Sequence, residues 1–279
     1  MTMLSINTNV GALQAARSSY SVNKSMEQSM ERLASGKRVN GAADDAAGLA
    51  IATRLNAEIN GIHQGIRNAA DAQSLLGVAE GALEQVHALL LRMRELAVQS
   101  ANETNSSADR HHLQTEVDQL EAEIQRVVDD TTWAGITLLA GGFTTGATFQ
   151  IGPRNTDTIQ ISISAIEPLS TVAKGGLSLS GHISVQANAM GYIKNIDNAI
   201  SIISADRGKY GATMNRLDHA MANLQNVATN LAVAKGRIMD ADFAAESSNL
   251  ARTQVLQQAS MAMLAQANAS KQNILSLFQ

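Results

Sequence analysis

The chain has 279 residues, of which 45% are hydrophobic, 3% aromatic and 16% charged, with only 2 Pro; that length suits one or two domains, and a profile rich in Ala, Ser, Asn, Gln and Leu favours extended helix over compact mixed architecture. The absence of Cys excludes disulfide frameworks and thiolate metal sites, and a formal charge of −4 carries no nucleic-acid footprint. No stretch approaches the roughly 18 apolar residues of a membrane span, and Met1-Thr2-Met3-Leu4-Ser5-Ile6-Asn7 lacks the basic start and apolar core of a secretory signal peptide.

The first element predicted is a helix over residues 4–34. Ile6, Val10, Leu13, Met26, Met30 and Leu33 recur at helical spacing, and Ser35-Gly36 supplies a stop. After a turn at Asn40-Gly41, Asp44 and Asp45 stand where acids stabilise the positive end of a second helix, expected over 44–100. Its seven-residue series Leu55, Ile62, Ala69, Leu76, Leu83, Leu90 and Ala97 is flanked by Ile59, Ile66, Ala72, Ala79, Val86 and Met93. A seam of that length is stable in water only when another helix covers it. A polar bend at residues 101–108 leads to a third helix, 107–129, with the seam Leu113, Val117, Leu120, Ile124 and Val127, expected to fold back on the second.

The Thr- and Gly-rich segment 131–146 precedes a change of period from helical to two. Phe149-Gln150-Ile151, a turn over Pro153 to Asp157, and then Ile159, Ile161 and Ile163 read as a β-hairpin at about 147–164. Residues 165–188 read as irregular. A fourth helix, 190–234, steps through Ile193, Ile196, Ile200, Ile203, Arg207, Tyr210, Met214, Leu217, Met221, Leu224, Ala228 and Leu231, and only Arg207 breaks the apolar run. Gly236 is expected to punctuate it. From Asp242 a last helix carries Phe243, Leu250, Val255, Leu256, Met261, Met263, Leu264, Ile274, Leu275, Leu277 and Phe278.

The terminal stripes are the functional signal. Pairing the two end helices covers only part of their apolar surface, since each keeps a second face. Ile6, Val10, Leu13, Met26, Leu33, Phe243, Leu250, Leu256, Leu264, Leu275 and Phe278 are therefore candidate contacts to other copies, with folding of the ends coupled to that contact. Chemistry has weaker support. His111 and His112 point about 100° apart on a helix, and His63, His87, His182 and His219 are isolated, so no metal-ligand spacing exists. Gly36-Lys37 lacks the Gly and Ser/Thr of a phosphate loop, and the run Gly176 to Gly181 is one residue out of step for a nucleophile elbow. Asp44-Asp45 and Asp129-Asp130 sit at helix ends, where carboxylates serve structure. No catalytic residue, metal or cofactor is expected.

Three stretches carry a family likeness: Ile6-Asn-Thr-Asn9 with Ala12-Leu13; Leu33-Ala-Ser-Gly-Lys-Arg-Val-Asn40 leading into Asp44-Asp-Ala-Ala-Gly-Leu-Ala-Ile-Ala52; and Arg237-Ile-Met-Asp-Ala-Asp242 with Ala265-Gln-Ala-Asn268. Met93 to Gln99, Phe149 to Gly152 and Tyr210 to Leu217 add to it. The sequence strongly resembles bacterial flagellin over nearly its whole length. Departures are Lys271, where the family usually has Pro, and Gly236, where Ser is common; between Gly142 and Met190 there is space for the hairpin and little else, so the outer variable domains of longer flagellins are missing.

The resemblance implies a mainly α fold with long antiparallel helical coiled-coil rods and a small β-hairpin. The N- and C-terminal helices would pair into an inner domain, 1–43 with 236–279, and 44–235 would form the rod domain. It implies a structural subunit that polymerises into the extracellular flagellar filament after type III export, with a flagellar export chaperone guarding the C-terminal helix. Hook-associated junction and cap proteins would be further partners. It also implies recognition by an animal Toll-like receptor through Arg92, Leu96 and Glu116. Two other readings are a hook-filament junction adaptor, which shares similar terminal helices, and a cell-surface glycan-binding protein using Thr144 to Ser164, for which Phe149 and Trp133 are the available aromatics.

Overall fold

A computed structural model describes residues 8–166, 177, 179 and 181–276, with the side chains of 271–276 left aside. Among the described residues the chain forms five α-helices, α1 (Val10–Ser35), α2 (Ala46–Ala101), α3 (Ser107–Asp130), α4 (Gln186–Met239) and α5 (Phe243–Ser276). It also forms two small antiparallel hairpins, β1 (Thr132–Trp133) with β2 (Ile136–Thr137) and β3 (Ala147–Gln150) with β4 (Thr158–Ile161). The mainly α expectation holds, and the chain divides into two compact units, residues 1–59 with 229–279 and residues 60–228. α2 and α4 each contribute to both.

The second unit is built on the heptad seams. Leu76, Leu83, Leu90 and Met93 of α2 are fully buried, as are Val117 and Ile124 of α3 and Ile196, Ile203 and Leu217 of α4. Polar pairs along the flanks set α2 antiparallel to both neighbours. Arg94 meets Asp197 at 2.7 Å and Glu80 accepts from Arg207 at 2.6 Å, while Arg92 meets Glu116 at 2.7 Å. Arg207, the one break in the apolar run of α4, is thus paired with a carboxylate of α2, both side chains partly buried.

α3 starts where the chain offers a capping box: the Ser106 hydroxyl accepts from the Asp109 N–H, and the Asp109 carboxylate accepts from the Ser106 N–H. The Ser106 hydroxyl also donates to the Asp109 carboxylate at 2.6 Å, and that bond, ahead of the Ser106 N–H, holds the Asp109 carboxyl below its ordinary range. The β3–β4 pair brings Phe149 opposite Ile159 and Gln150 opposite Thr158. Beyond β4 the extended chain continues with Ile163 and Ile166 buried, the Ile166 N–H donating to the Leu139 carbonyl at 2.8 Å.

Several expected boundaries shift for physical reasons. Residues 8 and 9 are not helical, because the Asn9 side chain accepts from the Ala12 N–H and so caps α1 at Val10. α2 begins at Ala46 rather than 44, since the Asp45 carboxylate accepts the Gly48 N–H at 2.8 Å and acts as the cap itself. Asp44 instead closes the preceding turn, accepting from the Asn40 and Gly41 N–H groups, which hold its carboxyl below the usual range. α4 does not end near Ala234: it passes through Gly236 to Met239, and the break comes where the Asp242 carboxylate accepts from the Ala244 and Ala245 N–H groups to start α5. A helix interior tolerates one Gly at a cost of about 1 kcal/mol. α4 also begins earlier than expected, at Gln186.

The β1–β2 hairpin escaped the sequence reading. Its turn places Ala134 at φ 50° and Gly135 at φ 82°, the pair of positive angles that a two-residue hairpin turn needs.

Candidate assembly interface

The sequence-selected interface residues that are described fall in the first unit, on α1 and α5. The two helices run antiparallel, tied at three levels. The Asn9 amide donates to the Ala267 carbonyl at 3.1 Å, the Gln257 amide donates to Asn23 Oδ1 at 2.8 Å, and Arg32 stands 3.8 Å from Glu246, both largely withdrawn from solvent. A partly buried pair of opposite charges does more to fix register than to stabilise, since displacing either helix leaves a charge without its partner. Gly36, at φ 68°, ends α1 and turns the chain toward the start of α5. The Gly36 carbonyl accepts the Ala241 N–H at 3.0 Å, the Arg38 N–H donates to Met239 O at 2.6 Å, and the Arg38 guanidinium donates to Ile238 O at 2.7 Å.

This pairing uses one face of each helix. Met26, Leu33, Leu250 and Leu264 are half-buried, whereas Val10, Leu13, Leu256 and Phe243 remain exposed, Leu13 at 58% and Phe243 at 69%. Tyr20, Val255, Met261 and Met263 are exposed with them. Of the remaining expected contacts, Ile6 and Phe278 lie outside the described residues, and so does the side chain of Leu275. A groove of about 490 Å³ runs between the two helices, lined by Gly11, Ala15 and Ser18 from α1 and by Leu256, Ala259 and Met263 from α5. Small and apolar side chains from both helices wall it, and the hydroxyls of Ser18, Ser260 and Ser270 and the amides of Gln14 and Gln266 line it as well.

The residues singled out for receptor recognition lie in the second unit. Glu116 Oε1 accepts from Arg92 Nε at 3.0 Å and from Nη2 at 2.7 Å, and Glu95 accepts from the same guanidinium at 3.2 Å. The Glu116 bond, ahead of the Glu95 bond, raises the arginine's already high pKa. Leu96 is 1% exposed, inside the core, so the outward-facing group at this place is the Arg92, Glu95 and Glu116 cluster.

The other candidates fall into structural roles. Asp129 accepts from Gln125 and Asp130 from Arg126 along α3. Trp133 and Phe149 both pack partly buried against the core of the second unit and form no open platform. Gly176, Ser178 and Ser180 of the elbow-like run lie outside the described residues. Among the described residues no group of three or more His, Asp or Glu could hold a metal, and no helix is long and apolar enough to cross a membrane.

One arrangement went unread. The turn after β3 sits on α2 where Gly61 and Gly65 lie one helical turn apart; a Cβ on Gly65 would come within 2.2 Å of the Ile151 carbonyl oxygen, and one on Gly61 within 2.8 Å of Pro153. The Asn68 amide donates to the Gln150 carbonyl at 2.8 Å beside them. The signal was present as two glycines at i and i+4 inside a helix, where each costs stability unless something must approach closely.

Comparison with known proteins decides what this arrangement belongs to. Residues 6–144 match the bacterial flagellin N-terminal helical region and residues 193–278 the bacterial flagellin C-terminal helical region. The chain belongs to the bacterial flagellin family. A flagellin of Halalkalibacterium halodurans is 41% identical over 276 residues, covering 98% of this chain and 99% of the relative. The flagellin of Bacillus subtilis is 35% identical over 305 residues at the same coverage. The crystal structure of Bacillus cereus flagellin aligns with a TM-score of 0.50 at 33% identity, covering 61% of this chain and 94% of that one. A putative flagellar hook-associated protein from Vibrio parahaemolyticus aligns with a TM-score of 0.62 at 18% identity, over 71% of this chain and all of that one, which shows a shared fold. This flagellin is a structural subunit of the extracellular flagellar filament, and family membership places it outside the enzymes. With β1–β2 and β3–β4 as the only strands described between α3 and α4, it is a short form without a central variable domain.

Proposed function

We propose that copies of this chain polymerise through the outward apolar faces of α1 and α5, residues 1–43 and 236–279 forming the inner domain of the filament and 44–235 the rod domain around it. The observation that carries the reading is the exposure of Val10, Leu13, Leu256 and Phe243, of which Leu256 lines the groove. A neighbouring copy that covers these residues gains about 25 cal/mol for each Å² of apolar surface removed from water, and the small residues lining the groove admit a close approach. The terminal helices gain order from the same contact. Export fits the type III route, with an export chaperone covering Phe243 to Phe278 before subunits do, and the cluster of Arg92 and Glu116 is the surface on which a Toll-like receptor would act.

Seeded polymerisation tests the reading. Purified chain added to short filament fragments should sediment with them, and Leu13→Asp or Phe243→Asp should abolish growth while leaving the thermal unfolding of the second unit unchanged. Limited proteolysis should remove roughly 40 residues from each end of the monomer and none from the polymer, since segments stabilised by association open readily without it. Equal protection in both states, or growth of the Asp variants at the unmodified rate, would overturn it.

A further inference from the structure

The described methionines range from buried to exposed. Met93 is fully buried in the second unit, whereas Met30 on α1 and Met261 and Met263 on α5 present 53%, 59% and 65% of their surface. Met263 lines the groove with Leu256 and Ala259. Met30, Met261 and Met263 thus share the two helices whose outer faces the assembly reading assigns to neighbouring copies, whereas Met190, also exposed, lies on α4.

A thioether suits such a surface because it is flexible, polarizable and carries no strong hydrogen-bonding group that would need a partner once covered. The same sulfur is a nucleophile. Its lone pair attacks the electrophilic oxygen of a hydroperoxide, an S–O bond forms as the O–O bond breaks, sulfur loses two electrons, and the peroxide is reduced to water or an alcohol. The product is a polar, chiral sulfoxide, reducible by methionine sulfoxide reductases. Its oxygen accepts hydrogen bonds, so covering it with an apolar neighbour leaves a buried acceptor unpaired. With no Cys in the chain, no thiolate competes for the oxidant.

We propose that Met30, Met261 and Met263, at two places along the α1–α5 pair, are reversible oxidation positions through which a hydroperoxide withdraws the unassembled chain from polymerisation. The proposal rests on the assembly reading and adds a chemical control to it. Core methionines escape in the folded chain because packing keeps the oxidant away.

The test treats purified monomer with hydrogen peroxide, maps sulfoxides by peptide mass spectrometry and follows growth on filament fragments by sedimentation. Met30, Met261 and Met263 should oxidise at least ten-fold faster than Met93, and growth should slow at least ten-fold. Methionine sulfoxide reductase should restore growth, and that recovery needs no variant. The variant M30L/M261L/M263L should grow at the same rate before and after peroxide, while M190L, which removes an exposed methionine of the second unit, should stay sensitive. Unchanged growth of the oxidised wild-type chain, or equal loss in the triple variant, would overturn the proposal. Failure of untreated wild-type chain to grow would instead overturn the assembly reading itself.

Discussion

The two units of this chain spend their apolar residues in opposite ways. In residues 60–228 the seams of α2, α3 and α4 turn inward, and Leu76, Leu83, Leu90 and Met93 reach full burial. In residues 1–59 with 229–279, α1 and α5 meet along a single face and hold Val10, Leu13, Leu256 and Phe243 outward. A helix with two covered sides has its stability written in its own chain. One with a single covered side depends on what else is in solution. The same residue types at the same helical spacing therefore serve folding in one unit and association in the other.

The sharpest way to break that contrast is to truncate one leucine in each unit. Leu83→Ala should cost about 3 kcal/mol of monomer stability, because a fully buried leucine leaves a cavity that its neighbours fill only in part; Leu13→Ala, at an exposed site, should fall within about 0.5 kcal/mol. Denaturant unfolding of the two variants measures the difference, and equal losses would erase the distinction. Gly65→Ala probes how the hairpin is held within the second unit. The new methyl would meet the Ile151 carbonyl oxygen, so the turn must lift from α2, at about 2 kcal/mol by the usual cost of overpacking, with faster amide exchange over residues 147–161 as the readout. Gly77→Ala, where nothing lies within 4 Å of the added carbon, should stabilise slightly and serves as the control.

The smallest effect is electrostatic. Burial is the first cause that raises the Glu121 carboxyl above its ordinary range, partly offset by the hydrogen bond it accepts from Tyr192 Oη at 2.5 Å; burial likewise pushes the Tyr192 hydroxyl up. A carboxyl whose folded pKa lies above its unfolded value favours folding below the unfolded pKa of about 4.3. That contribution is lost as pH rises through the folded value. Glu121→Gln should accordingly flatten the pH dependence of stability just above pH 4 and add a few tenths of a kcal/mol at neutral pH, solvent screening keeping the gain small. Thermal melts of both forms from pH 4 to 7 measure it.

Much of this was legible beforehand because the seams are long. Residues 55–97 and 193–231 repeat their apolar steps many times over, so chance lapses such as Arg207 do not blur the period. On α1 and α5 the large apolar residues were visible but not the face each takes: Val10, Leu13, Leu256 and Phe243 stay exposed, whereas Met26, Leu33, Leu250 and Leu264 are half-buried. Short elements gave no such redundancy: β1 and β2 contribute two residues each, and their turn uses Ala134 at a positive φ that composition does not announce. Gly236 misled because the end of α4 is set by the carboxylate of Asp242, which caps the following helix, and a glycine alone does not stop a helix. The glycine seat at Gly61 and Gly65 was hidden because its reason lies some 90 residues later, in Ile151 and Pro153.

The clasp that joins Gly36 and Arg38 to Ile238, Met239 and Ala241 has a bearing on how the molecule is made. A ribosome delivers α1 first and its partner α5 last, so the opening helix waits through the synthesis of some two hundred residues before its counterpart leaves the exit tunnel. Closing so long a loop adds little entropy for each further residue, but nothing can begin it early. The inner pair is thus a seal that forms only after α5 has been made, and a nascent polypeptide halted before it has no means of presenting it.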